Sequence, residues 1–203
     1  MLKPYANINI ANLEFNFLKI RELVNKAKIY AVVKANAYGH GMIEVSKALT
    51  SFGVDGFCVA LSEELSNLYE SGIRKPILHL GKIDFDNKEV LYLENAIFTI
   101  HEERDINIIN ENINIKRIHV HLKIDTGMTR MGIDANKTLR MINLILDSKK
   151  INLKGVYSHF SSSEDLECSS FNEQYNLFVK IIDKLNPSLK EKIDFHITNS
   201  AGI

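Results

Sequence analysis

Lys34 stands where a lysine is costly. Residues 31–41 read Ala-Val-Val-Lys-Ala-Asn-Ala-Tyr-Gly-His-Gly, so the lysine closes an apolar, strand-like stretch and a turn follows at once. An ammonium in such surroundings must be paired, neutralised or brought to water. A half-dry lysine has a lowered pKa, and its neutral amine condenses with an aldehyde to form a Schiff base. Gly39 and Gly41 permit a sharp turn or a close approach of backbone to a ligand. Tyr38 adds a hydroxyl at the mouth of that turn. The set suits an aldehyde cofactor that carries a phosphate.

Other residues able to do chemistry follow the same rule of place. Asn36 belongs to the first cluster, Ser62 and Glu63 to a second, and His101 stands alone. Lys123, Asp125 and Arg130 form a further group, as do His159 with Ser161–Ser163, and Asn199 with Ser200. Each follows a short β-branched or apolar run. Strands are expected over 29–34, 56–60, 77–81, 96–100, 117–125, 153–159 and 193–199. Helical spacing links Leu13, Phe17, Ile20 and Val24, and again Phe171, Tyr175, Phe178, Ile182 and Leu185; weaker helical patterns cover 45–52, 63–70, 106–113 and 136–148.

Strands alternating with helices imply an α/β fold with a parallel sheet. Two architectures compete. A doubly wound sheet gathers only the residues near its switch point. A (β/α)₈ barrel, the TIM barrel, collects every strand end onto one face, where its active sites lie. The clusters after so many strands favour the barrel. A full barrel needs eight units and about 250 residues; here seven strands are expected in 203 residues, so the barrel is expected to be incomplete, a single domain over 1–203. An open barrel leaves strand edges and apolar surface exposed.

Bulk properties exclude other classes. Charged residues make up 25% and hydrophobic ones 45% of the chain, and the formal net charge is zero. No global field draws in nucleic acid or a membrane surface. Cys58 and Cys168 are too few and too far apart to suggest a disulfide framework or a zinc site. The first residues contain no apolar signal region, and no span approaches membrane length. A cytoplasmic protein without bound metal is the expectation.

Four blocks together resemble the alanine racemases. They are the run at 31–41, His-Leu-Lys-Ile-Asp-Thr-Gly-Met-Thr-Arg-Met-Gly at 121–132, Tyr-Ser-His-Phe at 157–160, and His-Ile-Thr-Asn-Ser-Ala-Gly at 196–202. The first two are specific together; the last two are weak alone. Their order and spacing are compatible over nearly the whole chain. The resemblance implies a pyridoxal 5'-phosphate enzyme, homodimeric, with a barrel N-terminal domain and a β-rich C-terminal domain. It would interconvert L- and D-alanine for peptidoglycan synthesis. Basic amino-acid decarboxylases and small pyridoxal-phosphate proteins share a strand-end lysine, but without the Tyr-Gly-His-Gly turn.

By that resemblance Lys34 carries the cofactor as a Schiff base and moves the substrate α-proton on one face. Tyr38 hydrogen-bonds the cofactor phosphate. Arg130 donates to the cofactor's phenolic oxygen and to a substrate carboxylate, using a fork that lysine lacks. Lys123 matches a lysine that is carbamylated in many members and orients the arginine. His159 lies against the pyridine ring, and Asn199 and Ser200 begin the phosphate cradle. Taken singly, each has a plainer reading. Tyr38 is then a rim aromatic, Arg130 a surface ion pair of little worth, and Lys123 a barrel lysine paired with an acid. His159 becomes a structural histidine, and Asn199-Ser200 a helix cap.

Two departures from the family stand out. Its usual Ala-Glu-Ile-Asp run is Ala6-Asn7-Ile8-Asn9 here, with amides for carboxylates. Its arginine on the pyridine nitrogen and its second catalytic base, a tyrosine given across the dimer, match positions beyond Ile203; none of Tyr5, Tyr30, Tyr38, Tyr69, Tyr92, Tyr157 or Tyr175 takes that place. The chain is therefore expected to be a truncated N-terminal domain that is inactive alone. A non-catalytic pyridoxal-phosphate-binding module and a racemase of broader amino-acid range remain the alternatives.

Overall fold

The computed structural model describes residues 5–112, 117–163 and 169–203. Cys168 and residue 113, the end of one expected helix, lie outside them. Two compact units divide the chain, residues 1–96 and 97–203.

The first unit opens with a helix, Ile10–Val24. Asn9 caps it, its side chain accepting the Asn12 N–H at 3.1 Å, so one of the two amides that replace family carboxylates acts as a helix cap. Phe17 is the buried residue of that helix and meets Phe52 with ring centroids 6.4 Å apart. Strand β1 (Tyr30–Val32) pairs in parallel with β2 (Gly56–Val59), and β2 with β3 (Ile77–His79). Helix Met42–Phe52 follows β1 and stops at Gly53, whose φ of +92° suits glycine. Helix Ser62–Glu70 follows β2 and buries Leu65 and Leu68. A short helix, Lys88–Leu91, follows β3. Arg21 and the Ile29 N–H both bond Asp55 Oδ2, at 2.6 and 2.7 Å, which ties the first helix to the starts of β1 and β2.

The second unit carries β4 (Ala96–Ile100), β5 (Ile118–Asp125), β7 (Ile151–Tyr157) and β8 (Asp194–His196), each parallel to the next, with a two-residue β6 (Ile133–Asp134) beside the end of β5. Helices Glu103–Asn112, Thr138–Asp147 and Ser169–Asp183 follow β4, β6 and β7. Helix Thr138–Asp147 buries Met141, Ile142 and Ile145 at helical spacing. Strands β2 and β4 are buried at every residue, as strands covered on both faces must be.

The class is α/β. All seven expected strands are present, within one to three residues of their expected bounds, and each precedes a helical segment. The short helices Lys88–Leu91 and Pro187–Lys190 carried too few residues for a period to be read. Among the described residues no helix is long and apolar enough to cross a membrane.

Candidate active site

Lys34 sits two residues beyond β1, not inside it. Val33 donates its N–H to the Cys58 carbonyl at 2.9 Å, and there the strand ends. Ala35, Asn36, Ala37 and Tyr38 then adopt φ of +51° to +56°. Four consecutive non-glycine residues form a left-handed turn, at about 1–2 kcal/mol each, roughly 4–8 kcal/mol in all. Strain of this size persists where the surroundings over-determine it, and such places concentrate at functional sites.

The supports are visible. Ala37 N–H bonds the Val33 carbonyl at 2.8 Å, and the Gly39 and Gly41 N–H groups bond the Asn36 carbonyl at 3.1 and 3.0 Å. The Asn36 side chain accepts the Met42 N–H at 2.9 Å. His40 Nδ1 lies 2.8 Å from the Ala37 carbonyl, and since a carbonyl only accepts, that nitrogen carries a proton. Gly39 and Gly41 take φ of +87° and +90°, so both glycines are required by conformation. A turn with this pitch brings residues four apart to one side. Lys34 is half-buried and Tyr38 is 60% exposed.

Cys58, the register partner of Val32, is a buried free thiol pushed up to about 12 by burial, against the opposing pull of the Lys34 charge. It is a packed thiol, not a nucleophile.

In the second unit a polar rung crosses three strands. Register pairs Lys123 with Tyr157 and Tyr157 with His196. The Lys123 ammonium lies 4.7 Å from the Tyr157 ring centroid. Tyr157 stacks on His196, centroids 4.7 Å apart and 3° from parallel, and its hydroxyl lies 3.1 Å from Thr99 Oγ1. One rung lower Gly155 faces His121. A Cβ at Gly155 would stand 2.7 Å from the His121 ring, so glycine there lets His121 lean across to His196, Nδ1 to Nε2 at 3.0 Å.

Burial sets the electrostatics of this rung. It draws Lys123 down to about 8, helped by the nearby Arg130 charge and opposed by Asp125. It also draws His196 down to about 3, with His121 adding to the effect. Both side chains are poised toward their neutral forms.

The loops beyond the rung hold the remaining candidates. Asp125 Oδ1 accepts the N–H groups of Gly127 and Thr129 at 2.9 and 3.0 Å, folding the turn that presents the exposed Arg130. Ser158 donates to the Ile124 carbonyl at 2.8 Å, so the Thr126 hydroxyl, 2.7 Å away, must donate to Ser158. Buried Gln174 fixes the His159 loop. Its Nε2 donates to the His159 carbonyl at 3.1 Å, while its Oε1 accepts from Ser161 N–H and Oγ, both at 3.0 Å. Asn199 Oδ1 accepts from Ser163 Oγ at 2.7 Å and from Gly202 N–H at 3.1 Å. Ser200 starts the 3₁₀ turn Ser200–Gly202 and is exposed.

Lys34 and Tyr38 thus share one turn of the first unit. Lys123, Arg130, His159, Asn199 and Ser200 lie on the second, at or beyond the C-terminal ends of its strands. Sequence reasoning missed Glu64, Thr99 and Gln174. A buried glutamine on the apolar face of helix Ser169–Asp183 was the one legible signal among them.

The residues fit pyridoxal phosphate by the chemistry of their donors. An amine held in a strained turn suits the aldehyde. In the first unit the Tyr38 hydroxyl suits a phosphate; in the second the Ser200 hydroxyl does so too, and the Arg130 guanidinium suits an oxyanion.

Comparison with known proteins identifies the family. The family described as alanine racemase, N-terminal domain, matches residues 8–203. The alanine racemase of Halothermothrix orenii is 34% identical over 98% of this chain and 53% of its own length. That of Thermodesulfovibrio yellowstonii is 40% identical over 98% of this chain and 54% of its own. A solved alanine racemase from Clostridium difficile 630, in complex with cycloserine, superposes with a TM-score of 0.87 and 34% identity, over 96% of this chain and 54% of that one. The chain spans about half the length of the relatives it matches, and its fold is that of their barrel domain. By its sequence and by its fold, this chain belongs to the alanine racemase N-terminal domain family.

Proposed function

We propose that this chain is the pyridoxal-phosphate-binding part of an alanine racemase, the enzyme that interconverts L- and D-alanine and supplies D-alanine for peptidoglycan. The observation that carries the reading is Lys34, half-buried in a left-handed turn at the exit of β1. When bound, pyridoxal phosphate supplies an aldehyde for attachment to an amine and a ring that withdraws electrons from the substrate α-carbon.

The protein's own residues do the rest. The Lys34 amine is the point of covalent attachment. Free of the cofactor, that amine would take or return the substrate α-proton on one face. The Tyr38 and Ser200 hydroxyls would hold the phosphate, and Asn199 holds the Ser200 turn through the Gly202 N–H. Arg130 would donate to the cofactor's oxyanion and to the substrate carboxylate. His159, its loop pinned by Gln174, would lie beside the cofactor. The neutral Lys123 amine would add to carbon dioxide and release a proton to solvent, and the resulting carbamate anion would pair with Arg130 where an ammonium would repel it. The partner implied is a second copy of the complete protein.

The test is covalent labelling. The chain is mixed with pyridoxal phosphate, reduced with borohydride, digested and mapped. A label concentrated on Lys34 and absent from Lys34→Ala is the expected outcome; a label spread over surface lysines would refute the reading. A chain labelled at Lys34 that exchanges no α-deuterium from alanine points instead to a non-catalytic binder of the cofactor.

A further inference from the structure

Glu64 makes more hydrogen bonds than the end of a helix requires. It is the third residue of helix Ser62–Glu70, and its Oε2 accepts the N–H groups of Ala60 and Leu61 at 2.8 and 3.1 Å. That reach back to the helix start is common. Its Oε1 goes elsewhere. It accepts the Ala35 N–H at 2.6 Å, 29 residues away in sequence.

Ala35 is the first left-handed residue of the turn and the one directly after Lys34. Its N–H belongs to the peptide plane that joins the two. The turn's own hydrogen bonds begin later, with Ala37 to Val33. We infer that Glu64 is a positioning residue for Lys34, its carboxylate clamping the Lys34–Ala35 peptide to the end of β2 and thereby aiming the lysine amine. The inference rests on the role proposed for Lys34.

The chemistry of the clamp demands a carboxylate. Three N–H donors converge on two oxygens, and charge-assisted bonds to both arms are the strong kind. An amide offers one oxygen, so Gln turns an N–H toward either Ala35 or the Ala60–Leu61 pair. The strand β2 behind Ala60 is buried throughout, which gives the clamp a rigid anchor.

The experiment compares the parent chain with Glu64→Gln and with Glu70→Gln, the same charge change at the far end of the same helix. Three quantities are read: hydrogen exchange at the Ala35 amide without cofactor, the rate of borohydride-trapped pyridoxal phosphate labelling at Lys34, and the pH midpoint of that labelling. The expected result is a Glu64→Gln chain that melts with the Glu70→Gln control. It exchanges the Ala35 amide about tenfold faster, labels Lys34 about tenfold more slowly, and shifts the labelling midpoint. Parent-like exchange and labelling in Glu64→Gln overturn this inference alone. A parent chain that takes no label at Lys34 overturns the proposed function, and the inference with it. Should Glu64→Gln unfold, Glu64→Asp carries the test; its shorter carboxylate keeps the charge and the helix start but falls short of Ala35. It is expected to show the same two losses, and parent-like values in it overturn the inference.

Discussion

The Lys123 ammonium rests on the face of Tyr157, 4.7 Å from the ring centroid, in a strand position that is 7% exposed. A cation there is partly desolvated, and the ring's negative face recovers only about 1–2 kcal/mol of what water gave.

That balance yields a pH dependence. With Lys123 drawn to about 8 by burial and by Arg130, the folded chain releases this proton well before the unfolded chain does at about 10.5. The cost of the buried charge is therefore present below pH 8, and it is relieved as pH climbs from 8 to 10.5. In buffer free of carbon dioxide, Lys123→Met is expected to raise stability by about 2–3 kcal/mol at pH 7, with the gain gone near pH 10.5. Denaturant titrations at the two pH values check it. At pH 7 about one Lys123 in ten is neutral, against about one in three thousand for an ordinary lysine. Labelled bicarbonate should accordingly give a carbamate carbon resonance that Lys123→Met lacks.

His196 follows the same rule at acid pH. Held down to about 3 by burial and His121, it stays neutral in the fold while an unfolded histidine protonates near 6.5. Stability from this group is whole above pH 6.5 and drains away as pH falls toward 3. His196→Gln is expected to lower the proton uptake linked to unfolding in that window by about one proton. An unchanged slope of stability against pH would contradict the assignment.

Gln174 is expected to matter out of proportion to its chemistry. Gln174→Met keeps the volume but removes the side-chain bonds to the His159 carbonyl and to Ser161. A loss of about 1–2 kcal/mol follows from the bonds removed, read by denaturant unfolding. Faster amide exchange confined to residues 159–163 would place the damage in the His159 loop.

Much of this was legible in one dimension. Seven apolar, β-branched runs read as strands, and β2, β3 and β4 are buried along their whole length, as the apolar composition of such strands requires. The placement of Lys123 near the end of β5, and of Arg130, His159 and Ser200 past the ends of β5, β7 and β8, followed from the same count. Asp125 before a glycine also signals its turn openly, since an aspartate folds the next few amides onto itself.

Other features were not legible. The left-handed turn at 35–38 contradicts the local preference of alanine and tyrosine, and it survives through bonds to Val33, Met42 and Glu64. Lys34 therefore lies past its strand, where a run of apolar residues alone would have ended the strand on it. Gly155 reads as a weakened strand until His121 is seen to fill the space beside it.

The sequence by itself determined which side chains stand at strand ends, because strand periodicity and turn chemistry act over a few neighbouring residues. Only the tertiary structure decided which of them are neutral, clamped or stacked. Desolvation, a carboxylate bridging Ala35 to Ala60, and a ring lying flat on His196 all depend on residues tens of positions apart being packed together.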